Sequence, residues 1–419
     1  PINKIVNDAK SLYRFAYHNQ IEIIRLIFCL KLAGYLIYPT AANQYSIESL
    51  QNICGILPAK LEGATPELQK QFVENSAVFD TLYLLLDKKI KEYHQEHLLN
   101  EIELPLANVL SSMEYDGFAL DTQGMRIYGE DLARDILELE KQIYIQAQGE
   151  FNINSPKQLG AVLFEKLELP THKKTKSGYS TNVEVFNFLK DKHPIIELIL
   201  EYRQLTKLKS TYVDGLLKLV DDKNRIHSIF QQTETRTGRI SSTEPNLQNI
   251  PVKTQRGSNL RAFFIAKEGS KLVDADYSQI ELRVLAHVAK DENMIEAFNS
   301  NQDIHTITAS QIFDIPPLFV TPQMRGRAKA VNFGIVYGMG AFSLSENIGV
   351  SLADAKKYIT NYLENFSGVR KYMQTIVETA TQDGYVTTEF NRRRYIPELS
   401  ASNKIVKAQG NRIAMNTPI

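Results

Sequence analysis

The stretch VDADYSQIELRVLAHV, residues 273–288, changes its hydrophobic period partway along, and no other feature constrains the fold as tightly. Lys271-Leu272-Val273 reads as the start of a buried strand, whereas from Ser278 onward Ile280, Leu282, Val284, Leu285 and Val288 recur at helical spacing. The chain must therefore turn from sheet into helix close to Asp274 and Asp276. An aspartate at such a junction suits a hard cation, because its carboxylate projects from a rigid edge into solvent. One carboxylate rarely holds a catalytic metal pair alone, so Asp276 calls for a partner. Strand alternation puts Asp274 on the same face, but a Mg²⁺ pair is better served by carboxylates converging from different strands.

The texture on either side of this junction differs. Residues 1–95 mix short apolar runs with helical stretches and close on the charged helix LLDKKIKEYHQEHLLNEIEL, which reads as a small α/β unit. Residues 96–223 are dominated by amphipathic helices such as MRIYGEDLARDILELEKQIYIQAQ, with leucines and isoleucines three and four apart. From 224 shorter β-like runs follow, RIHSIFQQTET, NLRAFFIA and KLVDADY, and read as the strands of a sheet. Residues 290–380 return to helices, and GYVTTEFNRRRYI, 384–396, has the pattern of a β-hairpin carrying three arginines. Helical arm, sheet, helical arm, with no internal repeat, defines the fold class as α+β.

Composition narrows the function by exclusion. The 419 residues suffice for two or three domains. Lys+Arg and Asp+Glu both number 48, so any nucleic-acid surface must come from local clustering. Cys29 and Cys54 lack CxxC or Cys/His companions, which reads as two thiols in a reducing cytosol. The most apolar segment, IEIIRLIFCLKLAGYLIYP, is interrupted by Glu22, Arg25 and Lys31 and reads as core, not membrane. The chain does not begin with Met and stops at NTPI, so both ends look cut.

The segment MRGRAKAVNFGIVYGMGAFSLSENIGV, 324–350, carries the chemistry. Arg325, Lys329, Phe333 and Tyr337 are four apart and form one slowly drifting stripe on a helix. From Arg325 to Phe333 the rise is about 12 Å, roughly the reach of a nucleoside triphosphate from γ-phosphate to base. Cations at one end suit phosphate oxygens and rings at the other suit a base. On spacing alone, a solvated basic end and an aromatic core face is the favoured reading; Asp276 tips the balance towards nucleotide binding.

These residues resemble a known family. DYSQIELRVLAH and RxxxKxxxFGxxYG look like motifs A and B of family A DNA polymerases of the bacterial DNA polymerase I type. TGRISSTEPNLQNIP, 237–251, is similar to that family's primer-template segment, and INSPKQL, KKTKSGYST and YRQLTKLKSTY to its thumb. GYVTTEFNRRRYIP and NRIAMNTPI follow in order. The likeness is close over 97–419 and weaker over 1–96. It implies a right-hand fold of thumb and helical base (96–223), palm (224–290) and fingers (291–395), with a return towards the palm (396–419). Part of a ribonuclease H-like 3′–5′ exonuclease domain (1–95) would precede them.

The resemblance also implies roles. Asp276, with the Tyr277 carbonyl, would hold two Mg²⁺ ions, Mn²⁺ being a substitute. Arg325 and Lys329 would hold the triphosphate with help from His305, and Lys329 would donate a proton to the leaving pyrophosphate. Gln279, Phe333 and Tyr337 would line the dNTP pocket. Glu281 would act as a steric gate against a ribose 2′-OH, where RNA-synthesising relatives place a small residue. Arg239, Asn246, Gln248, Lys253, Arg412 and Asn416 would contact primer or template, and Lys173, Lys174 and Lys176 would track duplex phosphates. The expected partners are primer-template DNA and dNTPs, for a monomer in the bacterial cytosol acting in replication and repair.

Two departures qualify this. Gly326 and Gly340 stand where the family often has arginine and serine. More important, the second metal carboxylate of the family lies in a downstream His-Asp-Glu motif, and no such triplet occurs in the 419 residues. The chain is therefore expected to be a fragment that does not polymerise alone. In VENSAVFDTLYLL the Tyr-x3-Asp pattern of an active exonuclease is missing and Cys29 stands where an Asp is frequent, so that domain is expected to be degenerate. The alternatives are a non-catalytic nucleic-acid-binding remnant and an RNA-synthesising relative, the latter opposed by Glu281.

Overall fold

A computed structural model describes residues 2–41, 44–57, 67–171, 174–175, 178–252 and 254–419, with side chains left aside at 67–75 and 174–175. The chain divides into two units, one of Pro1–Ser112, Gln231–Ser241 and Asp274–Ile419, the other of Met113–Phe230 and Ser242–Val273.

In the first unit the strands Lys4–Val6 and Leu26–Cys29 pair in parallel, Ile5 opposite Phe28 and Val6 opposite Cys29. Asp8 caps the crossover helix Ala9–Asn19 by accepting from the Ser11 amide at 3.1 Å. The helix Leu30–Ile37 is apolar nearly all round and so lies buried, sharing a core with Leu50, Leu82, Leu86 and Ile90. Strand and helix alternate over Lys4–Ile37. The continuous helix expected across 85–104 is not found. The helix Glu67–Glu92 ends, His94 takes a left-handed φ of 53°, and Leu98–Glu103 forms a wider π-type turn. A long-range contact explains the break: the His94 carbonyl accepts from Asn391 Nδ2 at 2.9 Å, and Gln95 Nε2 donates to the Asn391 carbonyl at 2.8 Å.

Asn391 belongs to the hairpin foreseen in the sequence, Tyr385–Thr387 antiparallel to Arg393–Tyr395. Each of its arginines is used structurally. Arg392 pairs with buried Glu103. Arg393 lies between the rings of Tyr93 and Tyr385, at 3.8 and 4.1 Å, and Arg394 Nη1 donates to Thr417 Oγ1 at 3.2 Å. The helices Ile280–Ala289, Ile304–Phe313, Pro322–Val336 and Leu352–Asn365 share a further core of Leu282, Leu285, Ile304, Val331, Tyr362 and Phe366.

In the second unit Phe118–Leu120 is the central strand of three, antiparallel to both Arg225–Ile226 and Phe264–Ile265. The helices Thr122–Ala147 and Ile195–Lys207 bury Leu132, Ile143, Ile196 and Ile199, as the three-and-four spacing of 122–147 requires. Strand content is lower than the sequence suggests. NLRAFFIA supplies a 3₁₀ turn, Leu260–Phe263, and only two strand residues.

The expected strand at 271–276 is absent. These residues are all exposed, Leu272 at 60% and Val273 at 89%. Leu and Val favour a pleated, half-buried surface only where a neighbouring strand provides one, and among the described residues none pairs with this segment. No helix among the described residues is long and apolar enough to cross a membrane. Cys29 and Cys54 are free thiols, Cys29 buried and Cys54 partly so.

Candidate active site

The helix Pro322–Val336 begins where its chemistry says it should. Thr321 accepts from the Met324 amide at 3.2 Å, and Pro322 occupies the first helical position, where no amide is needed. Ala328, Val331, Asn332, Ile335 and Val336 face the core. That leaves Arg325 and Lys329 exposed, Phe333 half-buried and Tyr337, at the helix end, 43% exposed. The four residues thus form the stripe read from their spacing. Lys329 Nζ lies 6.0 Å from the Phe333 ring, which stacks on Tyr337 at 6.5 Å and 16°. Gly326 meets open space and carries only its propensity cost of about 1 kcal/mol. Gly338, at φ 62°, closes the helix against Lys404–Asn416; a Cβ there would come within 2.7 Å of Arg412 Cγ. Exposed Arg412 is thereby brought to the aromatic end of the stripe.

At the cationic end stands Asp303, which sequence reading missed. It caps Ile304–Phe313, accepting from the His305 amide at 3.3 Å and Thr306 Oγ1 at 2.6 Å. It also takes a fork from Arg325, Nε to Oδ2 at 2.5 Å and Nη2 to Oδ1 at 3.1 Å. Burial alone would raise the Asp303 carboxyl, but the bonds from Arg325 and Thr306 outweigh it and hold the group well below the usual carboxylate range.

His305, expected to assist in holding the triphosphate, is buried at 2% exposure. Its Nδ1 faces Asn332 Nδ2 at 3.0 Å, while Asn332 Oδ1 accepts from Thr308 Oγ1 at 3.1 Å. An amide donating to Nδ1 leaves the ring proton on Nε2. Burial pushes the imidazole down, against the pull of Asp303 and with Arg325 and Lys329 adding, so the ring is neutral at pH 7. Asn332, on the inner face of another helix, is a partner of this ring that no local pattern in the sequence reveals.

The Ile280–Ala289 helix, entered through Asp276 and Tyr277, packs in the same core as the stripe helix. Gln279 caps it in the left-handed region, φ 54°, with no side-chain bond, its carbonyl accepting from Leu282 and Arg283 at 3.0 and 3.1 Å. Glu281 occupies the first turn. Its Oε2 accepts from the Tyr337 hydroxyl at 2.7 Å and its Oε1 from Arg239 Nη2 at 2.7 Å. Three residues from three separated motifs, Arg239, Glu281 and Tyr337, are therefore bonded in a row. Burial first, and the Glu281 carboxylate next, push the Tyr337 phenol up.

Asp276 and Tyr277 lie in the exposed segment, Tyr277 at 79%. A carboxylate beside a backbone carbonyl is the hard-oxygen donor chemistry that Mg²⁺ takes. Among the described residues no three His, Cys, Asp or Glu side chains converge into a metal-holding group. Of the other expected DNA contacts, exposed Asn246 caps a 3₁₀ turn by accepting from the Gln248 amide at 3.0 Å, and Gln248 is exposed. The Asn416 amide oxygen is buried without a partner. Lys174 sits in a two-residue strand paired with Gly178–Tyr179; Lys173, Lys176 and Lys253 lie outside the described residues.

With this geometry in place, comparison with known proteins identifies the class. Residues 122–419 match DNA polymerase family A, and the chain belongs to that family. It is 46% identical over 413 residues to DNA polymerase I of Bacillus caldotenax, covering 95% of this chain and 47% of that protein. It is 44% identical over 412 residues to DNA polymerase I of Bacillus subtilis, again 95% and 47%. The fold matches the solved polymerase domain of Pol1 from M. smegmatis, in complex with DNA primer-template and dNTP. The TM-score is 0.87 at 37% identity, over 99% of this chain and 72% of that one. The chain spans about half the length of the curated relatives it matches.

Proposed function

We propose that the chain is part of a template-directed DNA polymerase that adds dNTPs to a primer 3′-OH in replication and repair. Residues 1–95 would be the C-terminal part of a degenerate 3′–5′ exonuclease domain, followed by thumb (96–223), palm (224–290), fingers (291–395) and a return to the palm (396–419). The observation that carries the reading is the stripe Arg325, Lys329, Phe333, Tyr337, tied at its aromatic end to Glu281.

Phosphoryl transfer needs positioning and charge, not a protein nucleophile. Arg325, released from Asp303, and Lys329 bind the triphosphate oxygens, and Lys329 can supply a proton to the leaving pyrophosphate. Phe333 packs beside the incoming sugar and base. Glu281, fixed by two hydrogen bonds, blocks the space of a 2′-OH and so favours dNTPs. Asp276 and the Tyr277 carbonyl would hold divalent ions, which activate the 3′-OH and neutralise the triphosphate when bound. The remaining carboxylate comes, in this reading, from residues other than these 419. Arg239, Asn246, Gln248 and Arg412 contact primer-template DNA.

The test is binding followed by extension. The chain should bind a fluorescein-labelled primer-template, weakening as salt rises, and Arg325→Ala with Lys329→Ala should lower retention of a dNTP on that complex by tenfold or more. Primer extension should require a longer protein containing these residues and vanish on Asp276→Asn. A chain that ignores primer-template DNA would overturn the proposal, and extension by the 419 residues alone would overturn the assignment of the second carboxylate elsewhere.

A further inference from the structure

Arg239 meets Glu281 from a loop with no helix or strand between Gln232 and Ile240. Side chains far away in sequence hold this loop. At its start Gln232 Nε2 donates to Glu103 Oε2 at 2.5 Å and to the Glu103 carbonyl at 2.8 Å. In the middle Tyr35, from the Leu30–Ile37 helix and 1% exposed, donates its hydroxyl to the Thr235 carbonyl at 2.7 Å. Thr235 then passes the constraint on, its Oγ1 donating to the carbonyl of Arg239 itself at 2.6 Å.

Arg392 completes the clamp. Its guanidinium lies 5.3 Å from the Tyr35 ring and pairs with Glu103. The Arg392 Nε also stands 2.6 Å from where a Cβ on Gly238 would be, so the loop at φ 84° passes against it without a side chain. An unbroken series of contacts thus runs from the N-terminal α/β segment through Tyr35 and Thr235 to Arg239, and on to Glu281 and Tyr337.

We propose that Tyr35 is a positioning residue for Arg239. The N-terminal α/β segment sets the pose in which that guanidinium meets primer-template DNA, a task that requires no nuclease chemistry. A long cationic side chain is better placed when its base is fixed, and here the anchoring hydroxyl comes from 200 residues before Thr235 in sequence. The proposal rests on Arg239 being a DNA contact, as assigned above.

The experiment measures anisotropy of a labelled primer-template duplex with the wild-type chain, Tyr35→Phe, Arg239→Ala and the double variant. Tyr45→Phe serves as control, because its hydroxyl donates to Tyr38 in the same segment, at 2.9 Å, and not to the loop. Tyr35→Phe should weaken binding about fivefold, the effect of one hydrogen bond, and should add nothing once Arg239 is Ala. Tyr45→Phe should bind like wild type, with a melting temperature close to that of Tyr35→Phe. Unchanged binding by Tyr35→Phe while Arg239→Ala weakens it would overturn the proposal. So would an equal loss from Tyr35→Phe in the Arg239→Ala background, or from the control. If the wild-type chain does not bind the duplex at all, the polymerase reading itself fails; if it binds and Arg239→Ala changes nothing, only the Arg239 contact and this inference fall.

Discussion

Glu281 is the residue whose energetics can be worked out from the structure. Both carboxylate oxygens are engaged, Oε2 by the Tyr337 hydroxyl and Oε1 by Arg239. A hydrogen bond to a charged acceptor is worth about 1.5–3 kcal/mol when dry. Here the Glu281 side chain is 24% exposed and Tyr337 43%, so water competes and about 1 kcal/mol remains for the tyrosine bond. Arg239 is 71% exposed, and its ion pair adds about 0.5 kcal/mol at most. Tyr337→Phe should therefore cost about 1 kcal/mol, and Glu281→Gln, which keeps the volume and one acceptor oxygen, about the same. Because the two share one bond, the double variant should cost no more than about 1.5 kcal/mol, leaving a coupling near 0.5 to 1 kcal/mol. Urea denaturation followed by far-UV circular dichroism, with the slope unchanged between variants, measures each value. Additivity within about 0.3 kcal/mol would mean that the carboxylate and the phenol do not support one another, and the account of a pinned gate would be wrong.

Two further outcomes follow from buried groups. Burial holds His305 neutral, so the folded chain refuses a proton that the unfolded chain accepts near pH 6.5. Its contribution to stability is complete above that pH and is lost as pH falls below it. Comparing urea midpoints at pH 7.5 and 5.5, the wild type should lose more stability on acidification than His305→Gln; an identical loss would contradict a buried neutral ring. Cys29 is pushed up to about 11 by burial, and burial raises Cys54 as well. Since the thiolate is the reactive form, the native chain should react slowly with a disulfide reagent at pH 7.5 and fully in urea. Rapid native reaction of Cys29 would contradict its burial.

What the sequence could and could not reveal divides along the range of the interaction. Four-residue spacing sufficed for the stripe from Arg325 to Tyr337, and period-two patterning with turn residues sufficed for the 384–396 hairpin, since both depend on neighbours in the chain. Asp303 is visible as a helix cap before Ile304, but its fork onto Arg325, 22 residues on, is not. Glu103 and Arg392, 289 residues apart, could not be matched at all. The strand expected at 271–276 failed for the same reason: β propensity in Leu272 and Val273 is a preference for a partner, and a single segment does not disclose whether one is present. Taken alone His305 reads as a surface histidine, and nothing local in the sequence signals its burial against Asn332, 27 residues on.

The open segment at 271–277 matters to anyone who handles this chain. Leu272, Val273 and Tyr277 are exposed within a segment that joins no strand, and apolar side chains left open to solvent invite association between molecules. Concentrated stocks will be governed by colloidal behaviour as much as by folding. Conditions that keep the chain dispersed decide how cleanly its binding can be measured.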